Sequence, residues 1–355
     1  MEQKFIQKII FGSPGTGKSH MITSEIIPNE LNIDSEENVI KAVFHPEYTY
    51  GDFMGKLLPM TKAGNVEYNF YEGHFLRALA QSYRNLFKAY DKEKKEITNY
   101  ENVILVIDEI NRGNSSAIFG SVFQLLDRET NGWSSYETTI NGVVFFKLFE
   151  LIGFEVASTT NHGEMATIKH PILTANRPRT VDDLNEVMKD IFKFDLVNKT
   201  IKIPPNLSIV ATMNTSDSSI YHMDTAFKRR WEWEFIDVNE NHSKKIKEAG
   251  EGIAFEKPKE WESFIGKLNQ FIKSNHSYIR GIEDKQIGKY FIKTQDGKID
   301  YAVVQSKLMF FIWDSVFNRD KKPLADLLGV PKDELVTFGD FALKVKEFIK
   351  AIQER

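Results

Sequence analysis

The segment Gly12-Ser-Pro14-Gly15-Thr16-Gly17-Lys18-Ser19 fits the spacing G-x-x-x-x-G-K-[ST]. Glycines in such a loop let backbone N–H groups close around phosphate oxygens, where side chains would block the approach. A helix that begins at the end of the loop directs its N-terminus at the same anion. Lys18 is then placed to reach the terminal phosphates and the Ser19 hydroxyl to reach Mg2+. The predicted nucleotide-binding loop is therefore Gly12, Pro14, Gly15, Thr16, Gly17, Lys18, Ser19 and the adjoining His20. A second group is Val103-Ile-Leu-Val-Ile-Asp108-Glu109, an apolar run ending in two carboxylates. Asp108 suits Mg2+ held through water, and Glu109 suits polarising an attacking water. A third is Ile209-Val-Ala-Thr-Met-Asn214, whose amide would orient that water if the two strands are neighbours. The fourth is Lys228-Arg229-Arg230. Arg229 or Arg230 could reach the γ-phosphate of a neighbouring subunit, a contact worth several kcal/mol in the transition state. The competing reading of these three cations is a solvated loop.

Such residues need elements to hold them. Residues 8–11 are a short apolar run into the loop, and Met21, Ile22, Ile26 and Ile27 follow at helical spacing, with Pro28 expected to stop that helix. Residues 39–44 read as a second strand and 75–90 as a helix through Leu76, Leu79, Tyr83 and Leu86. The unbroken apolar run 103–107 suits a central parallel strand buried on both faces. Ile118, Val122, Leu125 and Leu126 mark another helix, and 207–212 another buried strand. Residues 231–235 alternate strictly, as in a strand with one wet face. Strands alternating with helices make residues 1–238 an α/β unit with a mainly parallel sheet. Between Trp133 and Thr200 the pattern breaks. That stretch is too long for a connection, so 133–200 reads as an insertion with its own structure, including a hairpin at 138–144 around Asn141-Gly142. Beyond Val238 the strand pattern fades. Residues 260–273, 303–317 and 341–353 look helical, which makes 239–355 a second, mainly α-helical domain.

Composition narrows the classes further. The 355 residues hold 46 Lys plus Arg against 50 Asp plus Glu, a net charge of −4, and no cysteine. This length predicts two or three domains with a core that needs no staples. Without cysteine there is no disulfide framework, thiolate metal site or thiol nucleophile. The eight histidines show no zinc-binding spacing. His45, His74 and His170 are accordingly read as packed or hydrogen-bonded. The charge balance argues against coating nucleic acid by bulk charge and leaves room for a local patch. Lys169, His170, Arg177 and Arg179 in the insertion are one such grouping, with solvated surface as the simpler reading. Phenylalanine, at 27 residues, is read as core, including Phe145-Phe146 and Phe310-Phe311. No apolar run approaches the roughly 18 residues of a membrane span. The N-terminus is too polar for a signal peptide, so a soluble cytoplasmic protein is expected. The first strand starts within ten residues of Met1, so no preceding domain is expected.

Together the four motifs resemble the AAA+ ATPase superfamily. The resemblance narrows at Asp108-Glu-Ile-Asn111-Arg112-Gly-Asn114 and Met213-Asn-Thr-Ser-Asp217, which look like the McrB family of GTP-hydrolysing motor subunits in modification-dependent restriction systems. Other stretches agree: Phe44-His-Pro-Glu-Tyr-Thr-Tyr-Gly-Asp-Phe53, Tyr71-Glu-Gly-His-Phe75, Ala226-Phe-Lys-Arg-Arg-Trp231 and Ile287-Gly-Lys-Tyr-Phe291. The resemblance implies an AAA+ P-loop core followed by a helical lid, a hexameric ring of subunits, and nucleotide between them. It implies GTP as substrate, with ATP possible, and Mg2+ as cofactor. It implies a McrC-like nuclease partner, with DNA reached through another subunit, and no membrane. By position, Asn111 and Arg112 would line the carboxylate end of the site and Asp217 belongs to the signature. Two departures stand out. Ser218 replaces the signature arginine, and the DNA-reading N-terminal domain that relatives often carry is not expected here. The N-K-x-D guanine-reading pattern of small G proteins is absent, because Asn198-Lys-Thr ends in Ile201. The alternative is an ATP-driven remodelling factor similar to the MoxR or dynein-like AAA+ proteins, acting on a protein client.

Overall fold

The computed structural model describes residues 5–62, 64–161, 164–214, 221, 223–293 and 297–355. The chain divides into two compact units. The first is Met1–Gln7, Ser19–Thr212 and Ser218–Met223, and the second is Lys8–Lys18, Met213–Asp217 and Asp224–Arg355. A five-stranded sheet runs in the order Glu232–Ile236, Gln7–Gly12, Leu207–Asn214, Val103–Asp108, Val39–Val43. This is an α/β core with a helical C-terminal region, the architecture expected from the sequence.

In the first unit, Val103–Asp108 lies between two parallel neighbours, with Ile107 opposite both Ala42 and Ala211. Its first five residues are buried, as a strand covered on both faces requires. The helix His74–Lys88 lays Phe75, Leu76, Leu79, Tyr83 and Leu86 into this core. Tyr83 is fully buried and its hydroxyl donates to the Lys202 carbonyl (2.8 Å).

The insertion folds around aromatic rings packed on that helix. Phe87 meets Phe192 at 4.5 Å between centroids, Phe149 stacks on Phe154 at 4.7 Å, and Phe145 meets Phe194 at 5.2 Å. Such pairs add about 0.5–1.5 kcal/mol each beyond area burial. The expected hairpin at 138–144 is not there. Thr138–Thr139 pairs instead with Thr200–Ile201, and Asn141 caps the helix Gly142–Leu151 by accepting from Val143 N–H (2.8 Å). Asparagine before glycine suits a turn and a helix start alike, and the buried set Val144, Phe145, Leu148 and Phe149 has helical spacing. The insertion's hairpin is Glu155–Thr159 with Met165–Lys169. A second hairpin, unforeseen, joins Gly55–Lys62 to Asn65–Glu72.

Pro28 does not end its helix, which continues to Glu30 as a π-wound stretch, Ile22–Glu30. The Ser24 carbonyl, which the residue at Pro28 would serve in an α-helix, receives the Asn29 side-chain amide (3.3 Å).

In the second unit, Gln7–Gly12 pairs in parallel with Glu232–Ile236. Phe11 joins an aromatic core with Trp233, Phe310 and Phe338, in which Trp233 and Phe310 stack at 3.9 Å. Helices Pro258–Ser274, Phe338–Ala342 and Val345–Gln353, with the helical stretch that buries Val304, Leu308, Phe310 and Val316, build the C-terminal core. No described helix is long and apolar enough to cross a membrane.

Candidate functional site

The Gly12–Ser19 loop is shaped by backbone geometry that favours glycine. A Cβ at Gly12 would fall 2.3 Å from the Ile236 carbonyl oxygen, and Gly15 and Gly17 sit at φ +79° and +80°. Thr16 tightens the turn by donating to the Ser13 carbonyl (3.0 Å). Lys18 is buried, and its ammonium donates to the carbonyls of Gly12 (3.1 Å) and Ser13 (2.7 Å). Pro14, Ser19 and His20 are exposed.

In the first unit, the Ser19 hydroxyl reaches Asp108 Oδ1 at 3.4 Å. Residues far apart in sequence thus bring a hydroxyl and a carboxylate together, the donor set that suits Mg2+. Glu109 follows at φ +57°, a left-handed conformation unusual for a residue with a side chain. Arg112 Nε lies 3.5 Å from its carboxylate.

The rest of the Asp108–Asn114 stretch has local work. Ile110 is fully buried, and its N–H donates to the Thr212 carbonyl (3.0 Å). Asn111 is buried, and its carbonyl accepts from Tyr221 N–H (2.9 Å). A Cβ at Gly113 would come within 2.7 Å of Ile118 Cδ1. Asn114 caps the helix Ser115–Phe119 by accepting from Ala117 N–H (3.2 Å).

One residue near these carboxylates escaped the sequence reading. Thr212 donates its hydroxyl to Asp108 Oδ1 (2.9 Å) and accepts from Glu109 N–H (3.3 Å). The available signal was a hydroxyl in an otherwise apolar strand. Asn214 ends that strand two residues later, half-buried. Asp217 and Ser218 lie outside the described residues.

The three cations at 228–230 part company in the second unit. Lys228 pairs with Asp314 at 2.6 Å. Arg230 is half-buried and donates to the Ala226 carbonyl (2.6 Å). Arg229 is exposed. Asp224 caps the helix Thr225–Lys228 by accepting from Phe227 N–H (2.6 Å).

The stretches 44–53 and 71–75 also meet. Tyr48 Oη and His74 Nδ1 are 2.8 Å apart beside a cleft of about 340 Å³. Burial lowers the His74 pKa and raises that of Tyr48. Burial would raise the Asp52 carboxyl, but hydrogen bonds from Lys56 and Thr49 outweigh it and hold it at about 2. His170 is buried among rings, its Nδ1 accepting from Ile172 and Leu173 N–H (3.2 and 3.1 Å) and its Nε2 facing the Ile152 carbonyl (3.0 Å). His74 and His170 are thus packed and hydrogen-bonded, while His45 is exposed with its ring edge-on to Tyr48, and no cluster of three or more His, Asp or Glu placed for a metal occurs among the described residues. In the insertion, Lys169 is paired with Glu155 (2.7 Å), while Arg177 and Arg179 are exposed.

Comparison with known proteins fits this site. A family model described as "AAA domain (dynein-related subfamily)" matches residues 7–164. The "Type II restriction enzyme BsuMI component YdiS" of Bacillus subtilis is 27% identical over 347 residues, spanning 91% of this chain and 82% of the relative. The "Type IV methyl-directed restriction enzyme EcoKMcrB subunit" of Escherichia coli is 24% identical over 239 residues, 65% of this chain. The chain is similar to McrB-like AAA+ proteins. This McrB-like chain spans only 34% of the E. coli subunit, so that subunit's remaining length has no counterpart in the alignment. A solved structure from Cytophaga hutchinsonii aligns over 92% of this McrB-like chain and 76% of its own at 11% identity, but its TM-score of 0.25 carries no weight. The McrB-like chain is thus a P-loop NTPase related to restriction-system subunits.

Proposed function

We propose that this chain is the GTP-hydrolysing motor subunit of a McrBC-like restriction system, working as a ring, in the family's usual form a hexamer, with a McrC-like nuclease partner. The observation that carries the reading is the convergence of Ser19 with Asp108, followed by Glu109, inside the D-E-I-N-R-G-N stretch. Residues 1–238 form the nucleotide-binding core of this proposal and 239–355 its lid. Gly12 to His20 cradle the triphosphate, and Lys18 trades loop carbonyls for phosphate oxygens. Ser19 and Asp108 would hold Mg2+, which offsets charge on the β- and γ-phosphates when bound. Glu109 polarises the attacking water and Asn214 orients it. Asn111 and Arg112 shape that end of the site, and Asp217 contributes from the signature. Arg229, the exposed member of its pair, is the first candidate for a contact to a neighbouring subunit's phosphate, ahead of Arg230. DNA is reached through another subunit.

The preference for GTP rests on family resemblance. It is tested by measuring GTP and ATP turnover of the purified chain, with and without the product of the adjacent gene. GTP turnover raised by that partner is the expected result. Turnover of ATP alone overturns the guanine assignment. ATP turnover that responds to a protein client, and to neither DNA nor nuclease, replaces the proposal with a remodelling factor.

A further inference from the structure

We infer that Thr212 is a positioning residue for hydrolysis, clamping both carboxylate residues at the end of the 103–108 strand through a single hydroxyl. This inference rests on the proposed hydrolytic site and adds a residue to it.

Thr212 is 3% exposed and lies in the strand Leu207–Asn214, whose neighbours from Leu207 to Ala211 are all buried. A buried hydroxyl needs partners, and this one has two. It donates to Asp108 Oδ1 at 2.9 Å and accepts from Glu109 N–H at 3.3 Å. The same Asp108 oxygen is reached by Ser19 at 3.4 Å, so two hydroxyls from different elements define the direction of one carboxylate. The backbone adds a third tie, Ile110 N–H to the Thr212 carbonyl at 3.0 Å.

The ties flank Glu109 on both sides. Its N–H is held by the Thr212 hydroxyl, and the next N–H by the Thr212 carbonyl, while its own backbone stays at φ +57°. A non-glycine residue persists in that region only where its surroundings over-determine it. Removing the hydroxyl takes from Asp108 Oδ1 the nearer of its two hydroxyl partners and from the Glu109 N–H its acceptor. Glu109 can then relax toward the ordinary strand conformation, which re-aims its carboxylate. The nucleotide contacts of the loop residues are made elsewhere. Affinity should therefore survive while turnover falls.

The test compares Thr212→Val, which keeps shape and removes the hydroxyl, with Thr212→Ser, which keeps the hydroxyl. The readouts are kcat, the Kd of a non-hydrolysable GTP or ATP analogue, and the melting temperature. Thr212→Val is expected to lower kcat by tenfold or more, on the order of the loss from a misplaced reacting group, with Kd changed less than about threefold. Thr212→Ser is expected to hold kcat within about threefold of the parent. A parent that turns over, loses turnover in Lys18→Ala, and is indifferent to Thr212→Val overturns this inference alone. Equal kcat losses in the Val and Ser variants, or a matching loss of affinity, also overturn it. A parent with no turnover of either nucleotide overturns the hydrolytic reading, and this inference with it.

Discussion

Arg128 and Glu109 show how differently single side chains are constrained in this fold. Glu109 is held in an uncommon backbone conformation beside Asp108, as expected where chemistry dictates direction. Arg128 is buried, and its guanidinium donates to the carbonyls of Gly132 (2.6 Å), Pro204 (2.9 Å) and Leu207 (3.2 Å). It also lies over the Phe5 ring at 4.4 Å. Burial lowers its pKa to about 9, so it remains charged at neutral pH and its hydrogen bonds are charge-assisted. Arg128 fastens the start of the insertion to the start of the 207–214 strand. Arg128→Met keeps much of the volume but takes the guanidinium from the Gly132 and Leu207 carbonyls, while the Pro204 carbonyl keeps the Leu207 N–H (3.1 Å). A loss of about 2 kcal/mol or more is expected, since each buried group left unpaired costs about 1–3 kcal/mol. Arg128→Lys should recover little, because an ammonium cannot span the fork. Urea unfolding of both variants is the measurement. An unchanged midpoint for Arg128→Met would mean that water replaces the guanidinium without cost.

At the scale of elements, the insertion and the 55–72 hairpin are opposites. Phe149 in the insertion is 1% exposed and stacks on Phe154. In the hairpin, Leu57 pairs with Phe70 and Pro59 with Tyr68, which sets an apolar stripe on one face, yet Leu57 is 47% and Tyr68 69% exposed. Phe149→Ala should therefore cost about 3–5 kcal/mol. The double change Leu57→Ser with Tyr68→Ser should stay within about 0.5 kcal/mol per site. Thermal melts read both, and a hairpin variant as unstable as Phe149→Ala would show that the stripe is buried within the chain. The same contrast explains what the sequence made legible. Strand 103–108 and helix 74–88 could be read because burial leaves an unbroken run or a helical period. The 55–72 hairpin leaves no such mark, because its alternating Val66, Tyr68 and Phe70 cover no core. At 141–142 the Asn-Gly pair reads as a hairpin turn but opens a helix, because the residues that follow find their partners at helical spacing. Among the proposed site residues, those assigned to phosphate or metal are legible in the sequence, because that chemistry fixes type and spacing. Thr212 was not, since its role exists only through pairing with a strand about a hundred positions away. Nor could Arg229 be separated from Arg230, because the Lys228–Asp314 pair that anchors the segment spans 86 positions.

For the whole molecule, the proposed ring makes Arg229 and Glu109 complementary in a way that one experiment can read. If the arginine acts on a neighbour, a subunit carrying Glu109→Gln has a dead site but an intact Arg229. A subunit carrying Arg229→Ala has the reverse. Neither alone should turn over at more than a small fraction of the parent rate, because removing a trans-acting arginine costs about 10³–10⁵ in kcat. In a ring with head-to-tail contacts, random mixing at equal amounts sets a live site against an intact arginine at about one contact in four. Activity should therefore rise from near zero for either pure variant to a maximum near equal amounts, at up to about a quarter of the parent rate if contacts act independently. Nucleotide affinity of Arg229→Ala should remain near the parent value, since the exposed arginine is not part of its own subunit's phosphate loop. The same mixing with Arg230→Ala decides between the two arginines. A rate that stays near zero at every ratio, in protein that still assembles, would rule out an arginine acting between subunits. Activity retained by both pure arginine variants would show that neither side chain is needed for turnover.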